Sequence, residues 1–321
     1  MYDNEYEWDI LLFLRILKYL HTSDADMVNA IIRDYPEVDV EDPDMIMYDL
    51  LWAFFDEEPE ETDDEFYTVR FSDQSIDRLY QLGCQDGDML EHLTLLDRHG
   101  ENLLGRGLSE DRIRENGYRS MPETERGRRL LADLLRSHGH DLHGVPGFRT
   151  YYGEWTLSGP NGFLIPVRNK DGLIQGLKIR LDEADRPNRK YRWLSSRSLP
   201  NGTRSYSWVH VTGDRTRKRA FLTEGPLKGD VASFLAKDAL FICIGGVNAL
   251  HGLTDTIREL GVHEVVEAMD MDQMTNPNVR NAIRTMRAEV QKVAGIRYSK
   301  YTWNPAYKGV DDYLLSRTAT M

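Results

Sequence analysis

"KRAFLTEGPLKGDVASFLAKDALFICIG", residues 218–245, decides the fold. The short apolar run Phe221-Leu222-Thr223 reads as a strand and stops at Glu224-Gly225-Pro226, a pair of breakers that turns the chain sharply. "LKGDVASFLA" then reads as a helix and "ALFICIG" as a second strand. The alternation continues downstream. "LTDTIREL" is a helix and "VHEVVEAM" a strand. "NVRNAIRTMRAEVQKVAG" is a longer helix, with Val279, Ile283, Met286, Val290 and Val293 at steps of four and three, and "IRYSKYTW" is a last strand. Strands and helices in strict alternation predict an α/β domain: a mostly parallel sheet with helices on its faces.

In such a sheet, ligands bind beyond the carboxyl ends of the strands. Glu224 lies at one such end. The strand of "VVEAMDMDQMTNPNV" (265–279) ends in Asp270-Met271-Asp272, and Asp311-Asp312 in "KGVDDYL" follows the last strand. Clustered carboxylates raise one another's pKa unless a cation compensates. Hard oxygen ligands without thiols or imidazoles suit Mg²⁺ or Mn²⁺. Two aspartates at i and i+2 in extended backbone point the same way and can share one ion, as two-metal phosphoryl transfer requires. Asp-x-Asp alone also serves as a turn or helix cap. The specificity comes from three acidic features in order along one β-α-β-α-β frame.

Upstream, the texture differs. "GFLIPVRNKDGLIQGLKIRLD" (162–182) reads as two strands around a turn at 169–172. Leu177, Ile179 and Leu181 alternate with Lys178, Arg180 and Asp182, so Lys178 and Arg180 share the face opposite the apolar one. "RKYRWLSS" (189–196) puts Lys190 and Arg192 one way, Tyr191 and Trp193 the other. Each segment suits a half-buried edge strand with a wet basic face, or a nucleic-acid surface pairing cations with rings. Further back, "FSDQSIDRLYQLG" (71–83) and "GDMLEHLTLLDRHG" (87–100) read as helices. So do three segments within 5–55, ahead of the acidic linker "DEEPEETDDE" (56–65). "SHGHDLHG" holds His138, His140 and His143, a spacing more typical of a polar loop than of a metal site.

Charge follows the same division. Net charge is -13, yet residues 1–66 hold 21 acidic and 3 basic side chains, and residues 145–220 hold 15 basic and 6 acidic ones. The basic segment suits a polyphosphate partner. Mean hydropathy is -0.54, and no run nears the roughly 18 apolar residues of a membrane span. Cys84 and Cys243 are the only cysteines, too few for a disulfide framework or a four-cysteine zinc site. With an acidic N-terminus unlike a signal peptide, they predict a cytoplasmic setting.

Glu-Gly after the first strand, Asp-x-Asp after the third and a late acidic pair resemble the Toprim domain of bacterial primases, topoisomerases and several nucleases. Segments upstream narrow the resemblance to primases. "GRGLSEDRIRENGYRSMP" (105–122) is similar to the primase segment ahead of the catalytic core, and "FLIPVRNKDGLIQGLKIR" (163–180) to the primase strand pair. "RKYRWLSS" resembles the primase Pro-Lys-Tyr-Leu-Asn-Ser run, and "KGVDDYLLS" the primase end. "TEGPLKGDVA" and "KYRWLSS" look closest to primase-like Toprim proteins of phages and mobile elements.

The resemblance implies that Glu224 is a metal ligand or acid/base, that Asp270 and Asp272 are paired metal ligands, and that Asp311 and Asp312 supply a third site. Arg180 and Lys190 match basic residues facing template or nucleotide; Lys178 and Arg192 are their neighbours. Lys228 stands where primases carry an Asp, suited either to neutralising a phosphate or to an altered chemistry. No zinc module and no helicase-docking C-terminal domain are expected.

The expected organisation is an acidic helical domain and linker (1–66), a helical connecting region (67–150), a primase-like β-rich α+β subdomain (151–218) and a Toprim domain (219–321). The expected activity is Mg²⁺- or Mn²⁺-dependent nucleotidyl transfer, without zinc: RNA primer synthesis from nucleoside triphosphates on single-stranded DNA. A Toprim nuclease and a catalytically degenerate binding or regulatory protein are the alternatives. A replicative helicase or another basic protein is the expected partner of the acidic domain, and no membrane is expected.

Overall fold

The computed structural model describes residues 79–80, 89–184, 190–245, 250–271 and 277–318, with side chains from 283 in the last span. The segments within 5–55 read as helices, the acidic linker, most of 71–83, and Asp272 lie outside the described residues. The described residues belong to one compact unit.

In chain order the elements are α1 (Asp97–Gly105), α2 (Glu110–Asn116), β1 (Arg119–Ser120), α3 (Glu125–Ser137), β2 (Phe148–Tyr151), β3 (Glu154–Leu157), β4 (Gly162–Arg168), β5 (Ile174–Leu181) and β6 (Tyr191–Trp193). Then come β7 (His210–Thr212), β8 (Arg219–Glu224), α4 (Pro226–Leu235), β9 (Phe241–Ile244), α5 (Leu253–Glu259), β10 (Glu264–Glu267), α6 (Pro277–Gln291), β11 (Arg297–Lys300) and α7 (Val310–Thr318).

Two sheets organise them. The first is antiparallel, in the order β1-β4-β5-β6, with the hairpin β2-β3 as a separate ribbon. One core lies on the Leu164–Ile179 face of this sheet and gathers Leu131, Leu135, Phe148 and Leu157 from α3, β2 and β3. The opposite face of β4 offers Phe163 and Ile165 to α1, α2 and α4, through Leu103, Ile113, Leu227 and Val231. Burial on both faces explains why "GFLIPVR" is apolar without alternation.

The second sheet has the order β11-β10-β8-β9-β7. Its β11, β10, β8 and β9 are parallel, and β7 adds antiparallel at the edge. Alternation sorts the side chains by face. Ala220, Leu222, Ile242, Ile244 and Val265 pack with α5 and α6, whereas Phe221, Phe241 and Cys243 pack with α4, α7 and Trp303. The mostly parallel sheet expected from 218–300 is present.

Two expectations need correction. The helix read over 87–100 starts only at Asp97, after turns and extended backbone. Tertiary pairing captures the residues before it: Ser120 donates its N–H to the Thr94 carbonyl (2.9 Å), and the Leu96 N–H donates to Ser120 Oγ (2.8 Å). Nor is β5 a half-buried edge strand with a wet basic face. It lies between β4 and β6, and Lys178 is 7% exposed.

Candidate active site

The carboxyl ends of β8 and β10 lie side by side, with Leu222 opposite Glu267. Beyond that register, Thr223 Oγ1 donates to the Ala268 carbonyl (3.0 Å). Glu224 and Asp270, two and three residues past the paired positions, therefore leave the sheet at the same edge. Gly225 takes φ +86° and Pro226 opens α4, the sharp turn that Gly-Pro predicts. Asp311 and Asp312 occupy the first turn of α7. The Met271 N–H donates to the Lys308 carbonyl (3.0 Å), which fastens the segment before α7 to the β10 end.

Lys228, on the first turn of α4, lies in the middle of this group. Its ammonium donates to Asp270 Oδ1, and Lys308 Nζ stands 4.0 Å from Asp270 Oδ2. Gly309 crosses directly over it: a Cβ there would come within 2.3 Å of Asp311 Oδ1 and 3.3 Å of Lys228 Cε. Burial alone would lower the Lys228 pKa, but the charges of Asp270, Asp311 and Glu224 outweigh it and hold the ammonium above its ordinary range. Burial pushes Glu224 up. Asp270 adds to that, while Lys228, Lys178 and Lys308 pull against it. Burial likewise raises Asp311, with Lys228 and Arg106 opposing and Asp312 assisting. Arg106 Nη1 stands 3.8 Å from Asp311 Oδ2, and Asp311 Oδ1 is buried with no hydrogen-bond partner.

Lys178 reaches the rim from the other sheet. Its ammonium donates to the Gly245 carbonyl just past β9 (2.7 Å), lies 5.2 Å from the centre of the Trp193 ring, and acts on Glu224. The register divides the basic residues of β5 and β6. Lys178 pairs with Trp193, Ile179 with Arg192 and Arg180 with Tyr191. Directly opposite residues share a face, so Arg180 and Lys178 stand with the two rings, and Arg192 stands with Ile179. By alternation exposed Lys190 goes with Arg192. Arg180 lies over Phe163, 5.6 Å from the ring centre.

Among the described residues, then, Glu224, Asp270, Asp311, Lys178 and Lys228 come together, whereas Lys190 and Arg192 face elsewhere. Mg²⁺ or Mn²⁺ would have to approach a carboxylate oxygen to about 2.0–2.2 Å. At Asp270 Oδ1 that approach is taken by the Lys228 ammonium. No three His, Cys, Asp or Glu side chains among the described residues lie placed to share an ion. The carboxylates among the described residues have the right chemistry, but as folded around Lys228 they do not fit a divalent ion. Sequence reasoning missed Arg106 and Lys308, which nothing in the local pattern marks.

No family model and no curated relative matches the chain. Solved structures do. The catalytic domain of the DnaG primase bound to ssDNA aligns with TM-score 0.55 and 15% identity, over 76% of this chain and 75% of that one. The zinc-binding and RNA polymerase domains of the Aquifex aeolicus primase align with TM-score 0.53 and 14% identity, over 91% and 67%. This is the fold of a primase catalytic core. A DNA primase domain from Pseudomonas aeruginosa aligns at TM-score 0.52 and 16% identity, over 71% of this chain and 72% of that one. At the edge of the parallel sheet, this chain carries Lys228 inside its acidic cluster.

Proposed function

We propose that this chain makes short RNA primers on single-stranded DNA for a phage or mobile element, with residues 219–321 acting as a Toprim domain. The observation that carries this reading is Lys178. It crosses from the antiparallel sheet to the edge where Glu224 and Asp270 stand, so cations and carboxylates meet at one rim. In the proposed step the 3′-hydroxyl of one nucleotide attacks the α-phosphate of the next. A new P–O bond forms as the bond to pyrophosphate breaks. In this reading Glu224, its pKa lifted by burial, accepts the hydroxyl proton. Lys178, Lys228 and Lys308 offset negative charge on the phosphoryl oxygens and the departing pyrophosphate. Arg180, on the Lys178 face, holds template or triphosphate.

The acidic segment 1–66 is read as a docking module for a helicase or another basic protein. The pairing of Lys228 with Asp270 favours a second reading, in which the chain binds nucleic acid without turning it over. One incubation separates these readings: pure protein, single-stranded DNA and labelled nucleoside triphosphates, with Mg²⁺, with Mn²⁺, or with chelator. New oligonucleotides are expected. Shortened DNA would indicate a nuclease, and neither product would indicate a binder. Glu224→Gln and Asp270→Asn are expected to cut turnover by about 10²-fold or more with DNA affinity retained. Full turnover in both variants removes these groups from the chemistry.

A further inference from the structure

We propose that Lys228 is a built-in cation of the acidic rim, taking the position at Asp270 that a divalent ion would otherwise hold. The inference holds whether or not the chain makes primers, because it concerns only what the rim binds.

Three observations carry it. First, the Lys228 ammonium is on Asp270 Oδ1, and its side chain is 19% exposed against 16% for Asp270, so the pair is largely shielded from water. Second, cations already crowd the acidic rim. Among the described residues, the charges of Lys228, Lys178 and Lys308 act on Glu224, and those of Lys228 and Arg106 act on Asp311. A divalent ion is attracted by excess carboxylate charge, and these side chains reduce that excess. Third, the lysine stem is packed in. Gly309 lies over it, where an added Cβ would come to 3.3 Å from Cε, and α4 begins in a Gly225-Pro226 turn that sets the stem one residue past Leu227, itself 1% exposed.

The arrangement also defines what happens without the lysine. Asp270 loses its shielded ammonium and keeps Lys308 at 4.0 Å, Asp311 Oδ1 is buried without a hydrogen-bond partner among the described residues, and Glu224 stands within the field of Asp270. With one cation fewer, uncompensated carboxylate charge rises at Asp270 and Glu224, and hard carboxylate oxygens are the donors that Mg²⁺ and Mn²⁺ prefer.

The test is a Mn²⁺ titration followed by electron paramagnetic resonance and calorimetry on the full chain. It compares the wild type, Lys228→Ala, Lys228→Met and Lys228→Ala/Asp270→Asn, each checked for folding by circular dichroism. Methionine keeps the apolar stem, so at least one single variant retains the packing under Gly309. The expected result is that either folded single variant binds one Mn²⁺ about tenfold or more tighter than the wild type, and that adding Asp270→Asn removes the gain. Equal affinity in wild type and single variants, at any strength, overturns the proposal, because the lysine would then exclude nothing. A gain that survives Asp270→Asn also overturns it, since the ion would be binding elsewhere. Failure here leaves the primer assay unaffected, and an inactive protein in that assay leaves the titration readable.

Discussion

Asp230 is 5% exposed, with His210 Nε2 at 3.0 Å from Oδ1 and Tyr118 donating its hydroxyl to Oδ2 at 2.7 Å. His210 Nδ1 accepts the Arg168 N–H (2.9 Å), which leaves Nε2 to donate to Asp230. A carboxylate so placed is costly unless every partner is present. Burial works to raise its pKa, but His210, Tyr118 and Thr212 outweigh burial and hold it below the usual carboxylate range. The sign follows from linkage. A depressed folded pKa contributes stability that is fully present above the unfolded value, about 3.9, and is lost as pH falls through the folded one. Asp230→Ala is expected to cost about 3 kcal/mol in denaturant unfolding at neutral pH. The melting temperature of the wild type is also expected to fall more steeply below about pH 4 than that of Asp230→Asn. Parallel acid profiles would remove Asp230 from the balance. None of this was legible in the sequence. Asp230 reads as the polar side of a helix in "LKGDVASFLA", because its partners are 20 and 112 residues away. The places of Glu224 and Asp270 at strand ends were legible, because an apolar run that stops at an acidic residue is a local signal, sharpened at Glu224 by Gly225-Pro226. The Lys228 pairing was not, since no pattern says which way a helix's first turn faces.

At the scale of elements, α4 meets β9 through Gly229. A Cβ on this residue would lie 2.0 Å from Cys243 Sγ, so the helix rests directly on the sheet. The Cys243 thiol is fully buried, and burial pushes its pKa well up, so it acts as a small apolar group. Gly229→Ala is expected to destabilise by about 1–3 kcal/mol through overpacking. Cys243→Ala added to it is expected to recover part of the loss, read as a positive coupling in a double-mutant cycle. Strict additivity would mean that the helix had shifted instead. The elements of this half were legible because short apolar runs bounded by breakers alternate with segments of helical period. The helix read over 87–100 failed for a different reason. Its apolar spacing is real, but Ser120, on a strand two residues long, takes the backbone groups of Thr94 and Leu96. β5 was legible as a strand but not as a central one. Its central place depends on β6, a three-residue partner beyond the turn.

Across the whole molecule, the arrangement of the two sheets decides where a nucleic acid strand would run. Composition showed a basic segment but not its division between faces. The register makes that division: Arg180 shares the Lys178 face, toward Gly245 and the acidic rim, while Lys190 is on the other. Single-strand binding through phosphates weakens linearly with log salt, by about 0.7 per phosphate contact. If the strand passes along the rim, Arg180→Ala should lower that slope by about 0.7, whereas Lys190→Ala should leave it unchanged. Fluorescence anisotropy with a labelled oligothymidine between low and moderate salt measures both. An equal loss in the two variants would place the strand across both faces of the antiparallel sheet, and a loss in Lys190→Ala alone would move it away from Glu224 and Asp270. Oligothymidine offers the same bases along its length, so sequence readout does not confuse the comparison. Arg180 also lies over Phe163, and its loss removes packing as well as charge. Arg180→Lys therefore separates the two contributions: a slope restored by lysine assigns the effect to charge at the rim, and a slope left low assigns it to the guanidinium's stacked position.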